Sequence, residues 1–372
     1  MSSSCTKNEP AQPAPVKFDS SEVKRSIILY AVNNSSLAKD FADDYSEITK
    51  YISSCSDNSA QFLLYKTDTD SKKSGLYRVA RYNDNTVRLD TLIKYDYYGL
   101  STDPERISQV LNDAKRVYPD AKQGLIFWGH GTSWTPEFSD HKHKAYGGGY
   151  NSEDGFTVDW TDIDELAEAV PSDTFDFIWF DCCYMASIEV LYQFRDKCDH
   201  IVAYPTEVWS SGMNYQRVLP YLMMEKPELT KAAAMFYKVY ADYGQPVTVG
   251  VFDISKIQSV AELAKDIYNF GNLRPSSSQL LNYSRKSGYP YYDLRQVLTL
   301  TAELNGNENR ANEINRIMNE FVLYHAESKI NFNSQWWDDA NISGVSTHLY
   351  LNRNTNSEAY YRTLDWYKRV YP

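Results

Sequence analysis

"FDFIWFDCCYMASIEV", residues 175–190, is the stretch on which the fold turns. Its first seven residues form an aromatic-rich, mostly apolar run without Gly or Pro, of the length and composition of a strand buried on both faces. Asp181 and two adjacent cysteines, Cys182 and Cys183, close that run, and "YMASIEVLYQFR" continues with helical spacing. A buried strand feeding into a helix is half of a βα unit. It places the cysteines at a strand's carboxyl end, where open parallel sheets gather their functional groups.

The same grammar extends outward in both directions. Upstream, "RSIILYAVNN" (25–34) reads as a buried strand followed by a helix through "SLAKDFADDYSEITKYI". "QFLLYKTD" and "TVRLDTLIKY" read as strands either side of a polar, turn-rich segment, and "PERISQVLNDAKRVYP" as an amphipathic helix that stops before Pro119. "GLIFWGHG" (124–131) is another short apolar strand, closed by glycines. A polar, Gly-rich loop and the helix "DIDELAEAV" separate it from residue 175, and a loop of that length inside a compact domain marks function or disorder. Downstream come the strand "DHIVAYP", the helix "NYQRVLPYLM", the strand "VTVGVFDI" and a helix from about 255 to 270. The alternation predicts an α/β fold over residues 25–275, a mostly parallel sheet with helices on both faces. Residues 276–372 read as a mainly helical extension packed on it: helices at "DLRQVLTLTAEL" and "RANEINRIMNEFVLYH", a strand at "SGVSTHLYLN", and a last helix ending at "DWYKRVYP".

Composition narrows the function classes. The 372 residues carry a formal net charge of −11, which argues against a nucleic-acid partner, because neutralising phosphates takes clustered Lys and Arg. The five cysteines, Cys5, Cys55, Cys182, Cys183 and Cys198, are odd in number and irregularly spaced, suggesting neither a disulfide framework nor a zinc site. No apolar run is long enough to span a bilayer. The opening "MSSSCTKNEPAQPAPVKF" resembles the end of a bacterial lipoprotein signal, small residues before a cysteine. That reading makes Cys5 the lipidated residue and residues 1–24 a flexible tether, with the protein outside the cytoplasm and touching membrane only through its anchor.

Two strand tips carry the reactive residues: His130 between glycines at the end of one, Cys183 at the end of the other. If the strands are neighbours, imidazole and thiol share a cleft. A nearby His and a helix N-terminus both favour the thiolate, which is the nucleophilic form. Flanking glycines let the backbone turn sharply and aim an amide at a developing oxyanion.

Together "LIFWGHG" (125–131) and "FIWFDCCYMASIEV" (177–190) resemble the clostripain-like cysteine peptidases, which share a caspase-like fold with gingipains, legumains and separases. The family pattern is an apolar strand ending in His-Gly, then one ending in Asp-x-Cys-hydrophobic-Met-small-x-x-Glu; Asp181, Cys183, Met185 and Glu189 fall on it. The resemblance implies a cysteine endopeptidase acting through a Cys-His dyad on protein or peptide substrates. Cys183 would be the nucleophile and Cys182 would fill a variable position. His130 would be general acid, and the backbone N–H groups of Gly131 and Cys183 would hold the oxyanion. It also implies a pocket for a basic P1 side chain lined by Asp181. A second acidic residue is often found just before the glycine of the motif seen here as "WSSGMNY" (209–215), but this chain has Ser211 there, with Glu207 near enough to substitute. Cleavage after Lys or Arg is expected, its strictness open. Some relatives process themselves in the loop after the His; here that loop holds "HKHKAYGGGY" (141–150), and Lys144–Ala145 is the candidate bond.

No cofactor is demanded by the residues. His141 and His143 lack a Cys or carboxylate at ligand spacing, so no metal site is expected there. Some relatives depend on calcium, and an Asp-rich turn such as "YKTDTDSKKSG" (65–75) could bind it, although it lacks the glutamate and spacing of a helix-loop-helix calcium loop; calcium stays open as a cofactor. His200, His325 and His348 read as packed histidines, and Cys55 and Cys198 as structural. The competing function is a catalytically inactive surface-binding protein on the same fold, for which 31 Tyr and 8 Trp would suit. The joint presence of His130, Gly131 and Cys183 favours the enzyme.

Overall fold

The computed structural model describes residues 20–67, 73–95, 101–134, 145–150, 158–284, 291–330, 332, 341–350 and 356–371. The strands among them are β1 (Arg25–Ala31), β2 (Ala60–Thr67), β3 (Ser74–Arg81), β4 (Val87–Tyr95), β5 (Lys122–Trp128), β6 (His130–Gly131), β7 (Tyr146–Tyr150), β8 (Val158–Thr161), β9 (Phe175–Asp181), β10 (Cys198–Ala203), β11 (Thr248–Asp253), β12 (Tyr292–Asp293), β13 (Val322–Glu327) and β14 (Ser346–Thr347). The α-helices are α1 (Ala38–Ser54), α2 (Pro104–Val117), α3 (Ile163–Ala169), α4 (Ile188–Gln193), α5 (Tyr215–Leu222), α6 (Leu229–Asp242), α7 (Ile257–Phe270), α8 (Leu294–Leu304), α9 (Ala311–Phe321), α10 (Asn356–Tyr361) and α11 (Asp365–Val370).

Nine strands make one sheet in the order β13-β11-β10-β9-β5-β1-β2-β3-β4. The centre, β10-β9-β5-β1-β2, is parallel, and antiparallel strands flank it on both sides. Side chains alternate across it with period two. On β1, Ile27, Leu29 and Ala31 join a core covered by α1, α5 and α6. Ile28 and Tyr30 join the opposite core, which receives side chains from α2, α3, α4, α7, α8, α9 and α11. Burial on both faces is why the central strands read as unbroken apolar runs.

The structure departs from the sequence reading in identifiable places. β3 and α6 went unread; β3 pairs with both β2 and β4 as an antiparallel meander. The helix expected through "FVLYH" stops at Phe321, and Val322–Glu327 becomes the edge strand β13, because the open side of β11 offers hydrogen bonds to this β-branched and aromatic stretch. In "SGVSTHLYLN" the described strand is only Ser346–Thr347, paired with β12. Residues beyond 276 thus complete the main sheet and fill its core. Finally, the helix expected from Tyr184 begins at Ile188, because Tyr184 sits at φ 63° and Ser187 is the cap, its Oγ accepting from Val190 N at 3.3 Å.

Candidate active site

Ala31 pairs with Trp128, and Trp128 with Asp181, so β1, β5 and β9 end level with one another. The chain leaves β1 for β2 on one side and reaches β5 on the other. The β1/β5 boundary is therefore where strand order reverses, the place where parallel sheets open a crevice. Three loops meet there, residues 32–37, 129–134 and 182–187.

His130 begins β6 and pairs with Gly147 in a small antiparallel sheet, β6-β7-β8, built from the long loop. Its Nε2 lies 2.8 Å from Ser36 Oγ, and the Trp160 ring flanks it at 6.0 Å. Gly148, at φ 69°, backs the imidazole; a Cβ there would stand 2.7 Å from Cδ2. The next residue, Gly131, closes on the nucleophile turn. A Cβ on it would lie 2.6 Å from Cys183 O and 3.2 Å from Cys183 N, so only glycine lets β6 approach this closely.

Cys183 is half-buried and precedes Tyr184, whose left-handed backbone costs about 1–3 kcal/mol and marks a held conformation. Tyr184 N donates to Thr206 O at 2.8 Å and Ala186 N to Tyr204 O at 3.0 Å, pinning the turn to the chain that leaves β10. Val208 meets the thiol with both backbone groups: its N–H donates to Cys183 Sγ at 3.4 Å, and the thiol donates to its C=O at 3.7 Å. α4 starts five residues beyond Cys183, so the helix terminus expected to act on the thiol is not adjacent to it. Cys182 points the other way. It is buried, its thiol donates to Phe127 O at 3.3 Å, and burial pushes that thiol well up, which leaves it un-ionised.

Beneath the turn lies a group of carboxylates. Asp181 is buried and accepts from Tyr204 Oη at 3.1 Å and from Met213 N and Tyr215 Oη at 3.0 Å. Burial pushes it up to about 6, and those three donors oppose the rise. Asp44, on α1, accepts from Trp128 Nε1 at 2.7 Å; burial first, then the charge of Asp181, pushes it up to about 9. Glu47 takes Asn214 Nδ2 at 2.7 Å and Tyr215 N at 2.8 Å, and burial raises it too. Gly212, at φ 50°, packs on Asp181, where a Cβ would come within 2.8 Å of Oδ2. These contacts fasten residues 210–215 over Asp181.

The other expected site residues fall as follows. Ser211 Oγ lies 3.0 Å from Tyr240 Oη, a hydroxyl pair at the position where the family resemblance led us to expect an acid. Glu207 is half-exposed beside Val208, and its charge is felt at Tyr184. Ala145 is buried, its N–H donating to Thr161 O and its C=O accepting from Thr132 N, both at 3.0 Å. Cys5, His141, His143 and Lys144 lie outside the described residues, as does part of the 65–75 stretch. Among the described residues no group of three or more His, Cys, Asp or Glu could hold a metal ion. His325 bonds Glu327 at 2.9 Å, and His348 meets Trp134 and Tyr361 edge-on. Ser36, Gly148, Tyr184 and Val208 were missed, although the polar run "VNNSS" at a strand tip and the three consecutive glycines were visible signals.

Level parallel strand tips bearing a thiol and an imidazole, within this sheet order, define the caspase-like cysteine peptidase class. The chain belongs to the clostripain family, whose model matches residues 29–371. It is similar to a secreted cysteine protease from Bacteroides thetaiotaomicron solved in complex with an irreversible peptide inhibitor, with 26% identity and TM-score 0.78 over 93% of this chain and 99% of that one. An inactive zymogen protease from Parabacteroides distasonis shares the fold at 23% identity and TM-score 0.77, over 94% and 98% of the two chains. Comparison with curated proteins finds no match. Among the described residues no helix is long and apolar enough to cross a membrane.

Proposed function

We propose that this peptidase is an endopeptidase working through Cys183 and His130, and the observation that carries the reading is the closure of Gly131 on the Cys183 turn. The Cys183 thiolate attacks the scissile carbonyl, and the N–H groups of Gly131 and Cys183 take the oxyanion. Imidazolium His130 gives its proton to the departing amine, leaving a thioester. Water then loses a proton to His130 as it attacks, and the thiolate is regenerated.

P1 preference follows from the carboxylates. Asp181 is ionised above about pH 6 and lies behind Gly212, while Glu207 is half-exposed and directly precedes Val208, whose N–H meets the thiol. Lys and Arg are the preferred P1 residues. With Ser211 in place of an acid, one charge-assisted contact of about 1.5–3 kcal/mol is missing, which relaxes the preference by tenfold or more. Self-processing at Lys144–Ala145 is part of the proposal, as is lipid anchoring at Cys5 outside the cytoplasm. Because Ala145 is bonded to Thr132 and Thr161 at the edge of the β6-β7-β8 sheet, cutting there would leave the new N-terminus opposite Thr132, two residues from His130.

The test is mass-spectrometric profiling of a mixed peptide library with wild type and Cys183→Ala, with and without added calcium. Cuts after Lys and Arg that disappear in the variant are expected. Cuts that survive in the variant refute the nucleophile, and no cuts by either protein, with Lys144–Ala145 intact in both, narrows the choice to an unactivated zymogen or an inactive binding protein.

A further inference from the structure

We propose that Ser36 is a positioning residue for His130, making the loop after β1 the third contributor to the catalytic site; this rests on the dyad reading above. Ser36 Oγ lies 2.8 Å from Nε2, and Gly148 packs against the same side of the ring at Cδ2. In this proposal Ser36 holds Nε2, and Nδ1 is assigned the proton exchange with the thiol and the leaving amine. A hydroxyl both donates and accepts, so it serves Nε2 in either charge state of the ring. When His130 is imidazolium, Nε2–H donates to Ser36; when the proton leaves Nδ1 for the amine, the ring need not turn to keep its partner.

The loop is built to hold that hydroxyl still. Asn33 brackets Thr67 at the end of β2, donating to its carbonyl at 2.6 Å and accepting from its amide at 2.8 Å. Asn34 does the same for Tyr150 at the end of β7, its carbonyl accepting at 2.7 Å and its Nδ2 donating at 3.0 Å. Ser35 is buried, its Oγ accepting from Leu37 N at 3.2 Å and its C=O from Ala38 N at 3.2 Å. Ser36 is thus flanked by anchored residues, and α1 starts two positions later. The register Ala31–Trp128–Asp181 sets the three tips side by side, so hydroxyl, imidazole and thiol come from neighbouring parallel strands in that order.

Proton accounting closes without Ser36 losing a proton. In acylation the Nδ1 proton goes to the leaving nitrogen as the C–N bond breaks and the C–S bond forms. In deacylation water's proton goes to Nδ1 as hydroxyl joins the carbonyl carbon and the C–S bond breaks. Nε2–H stays on Ser36 throughout.

The experiment compares Ser36→Ala, Ser36→Thr, His130→Ala and Cys183→Ala with wild type on a peptide that wild type cleaves. kcat and KM are taken from pH 5 to 10, with melting temperature as the folding control. Because Ser36 stabilises the imidazolium, Ser36→Ala should lower kcat about tenfold at unchanged KM, as for loss of a group that orients the general acid. It should also move the alkaline limb of the profile to lower pH by about one unit. Ser36→Thr should restore both. A Ser36→Ala enzyme within twofold of wild type with the same limb overturns the proposal while leaving the dyad in place. So does a drop in kcat with an unmoved limb that Thr fails to rescue. If His130→Ala or Cys183→Ala keeps wild-type activity, the dyad itself falls and Ser36 with it.

Discussion

Replacing Gly131 by alanine puts one methyl group where the site has no room for it. Its carbon would sit 2.6 Å from Cys183 O and 2.8 Å from Cys182 Cβ. Unstrained carbon contacts begin near 3.5 Å, so the overlap to be relieved is about 0.7–0.9 Å. Both obstructing atoms belong to the backbone or to a Cβ, and neither can swing aside. β6 must therefore move off the nucleophile turn, carrying His130 and the Gly131 amide away from the thiol. A misplacement approaching 1 Å at reacting groups costs about a hundredfold, equivalent to about 2.7 kcal/mol of barrier. kcat/KM for a cleaved peptide should fall by that factor, with most of the loss in kcat. Overpacking destabilises by about 1–3 kcal/mol, too little to unfold a domain with cores on both faces of its sheet. Melting temperature and the alkylation rate of Cys183 by iodoacetamide separate misalignment from unfolding. A variant within threefold of wild type, at unchanged melting temperature, would refute the close approach of β6 to Cys183 as the basis of the site.

The buried carboxylates give two further outcomes. Asp44, pushed from 3.8 up to about 9, holds a proton in the folded protein that the unfolded chain has lost, so its contribution to stability is present at low pH and falls as pH rises between those values. The slope is about 1.4 kcal/mol per pH unit and the loss by pH 7 about 4 kcal/mol at most; Asp44→Asn keeps an acceptor for Trp128 and should match wild type in urea melts near pH 3.5 but exceed it at pH 8. Equal midpoints at both pH values would sink this. Asp181, pushed up to about 6, loses its charge as pH falls through that value, so the ratio of cleavage after Lys to cleavage after Gln should drop between pH 8 and 5. Asp181→Asn should show the low ratio throughout, and a ratio independent of pH in wild type would remove Asp181 from P1 selection.

The central sheet was legible because its strands are buried on both faces, and continuous apolar runs ending in Gly or Asp are hard to mistake. β3 was not, since Arg78 and Arg81 interrupt its apolar residues; Arg78 is held by Asp90 of β4, a partner no local window reveals. β13 was hidden for a similar reason: helical spacing through Phe321 runs on into residues that only the edge of β11 turns into a strand. At the site, the candidate pair His130 and Cys183 stands out in the sequence because both fall at strand tips. Which of the two cysteines faces the crevice could not be read from residue type alone. The alternation of β9 carried past its end decides it: Cys182 falls with Phe180 on one core and donates to Phe127 O, and Cys183 turns the other way, toward Val208.

That turn also explains what Glu189 contributes to the family pattern. Glu189 is buried, burial raises it, and its Oε1 accepts from Thr347 Oγ1 and His348 N, both at 2.9 Å, and from Tyr361 Oη at 3.3 Å. Alongside, Ser346 N donates to Ala186 O at 2.9 Å. The C-terminal residues therefore hold the segment just after the nucleophile from one side, and Tyr204 and Thr206 hold it from the other. Three backbone hydrogen bonds at about 1 kcal/mol each match the cost of about 1–3 kcal/mol for the left-handed residue. Neither side alone offsets that cost with a margin. The backbone geometry at Cys183 is thus a joint product of the parallel sheet and the chain beyond residue 276.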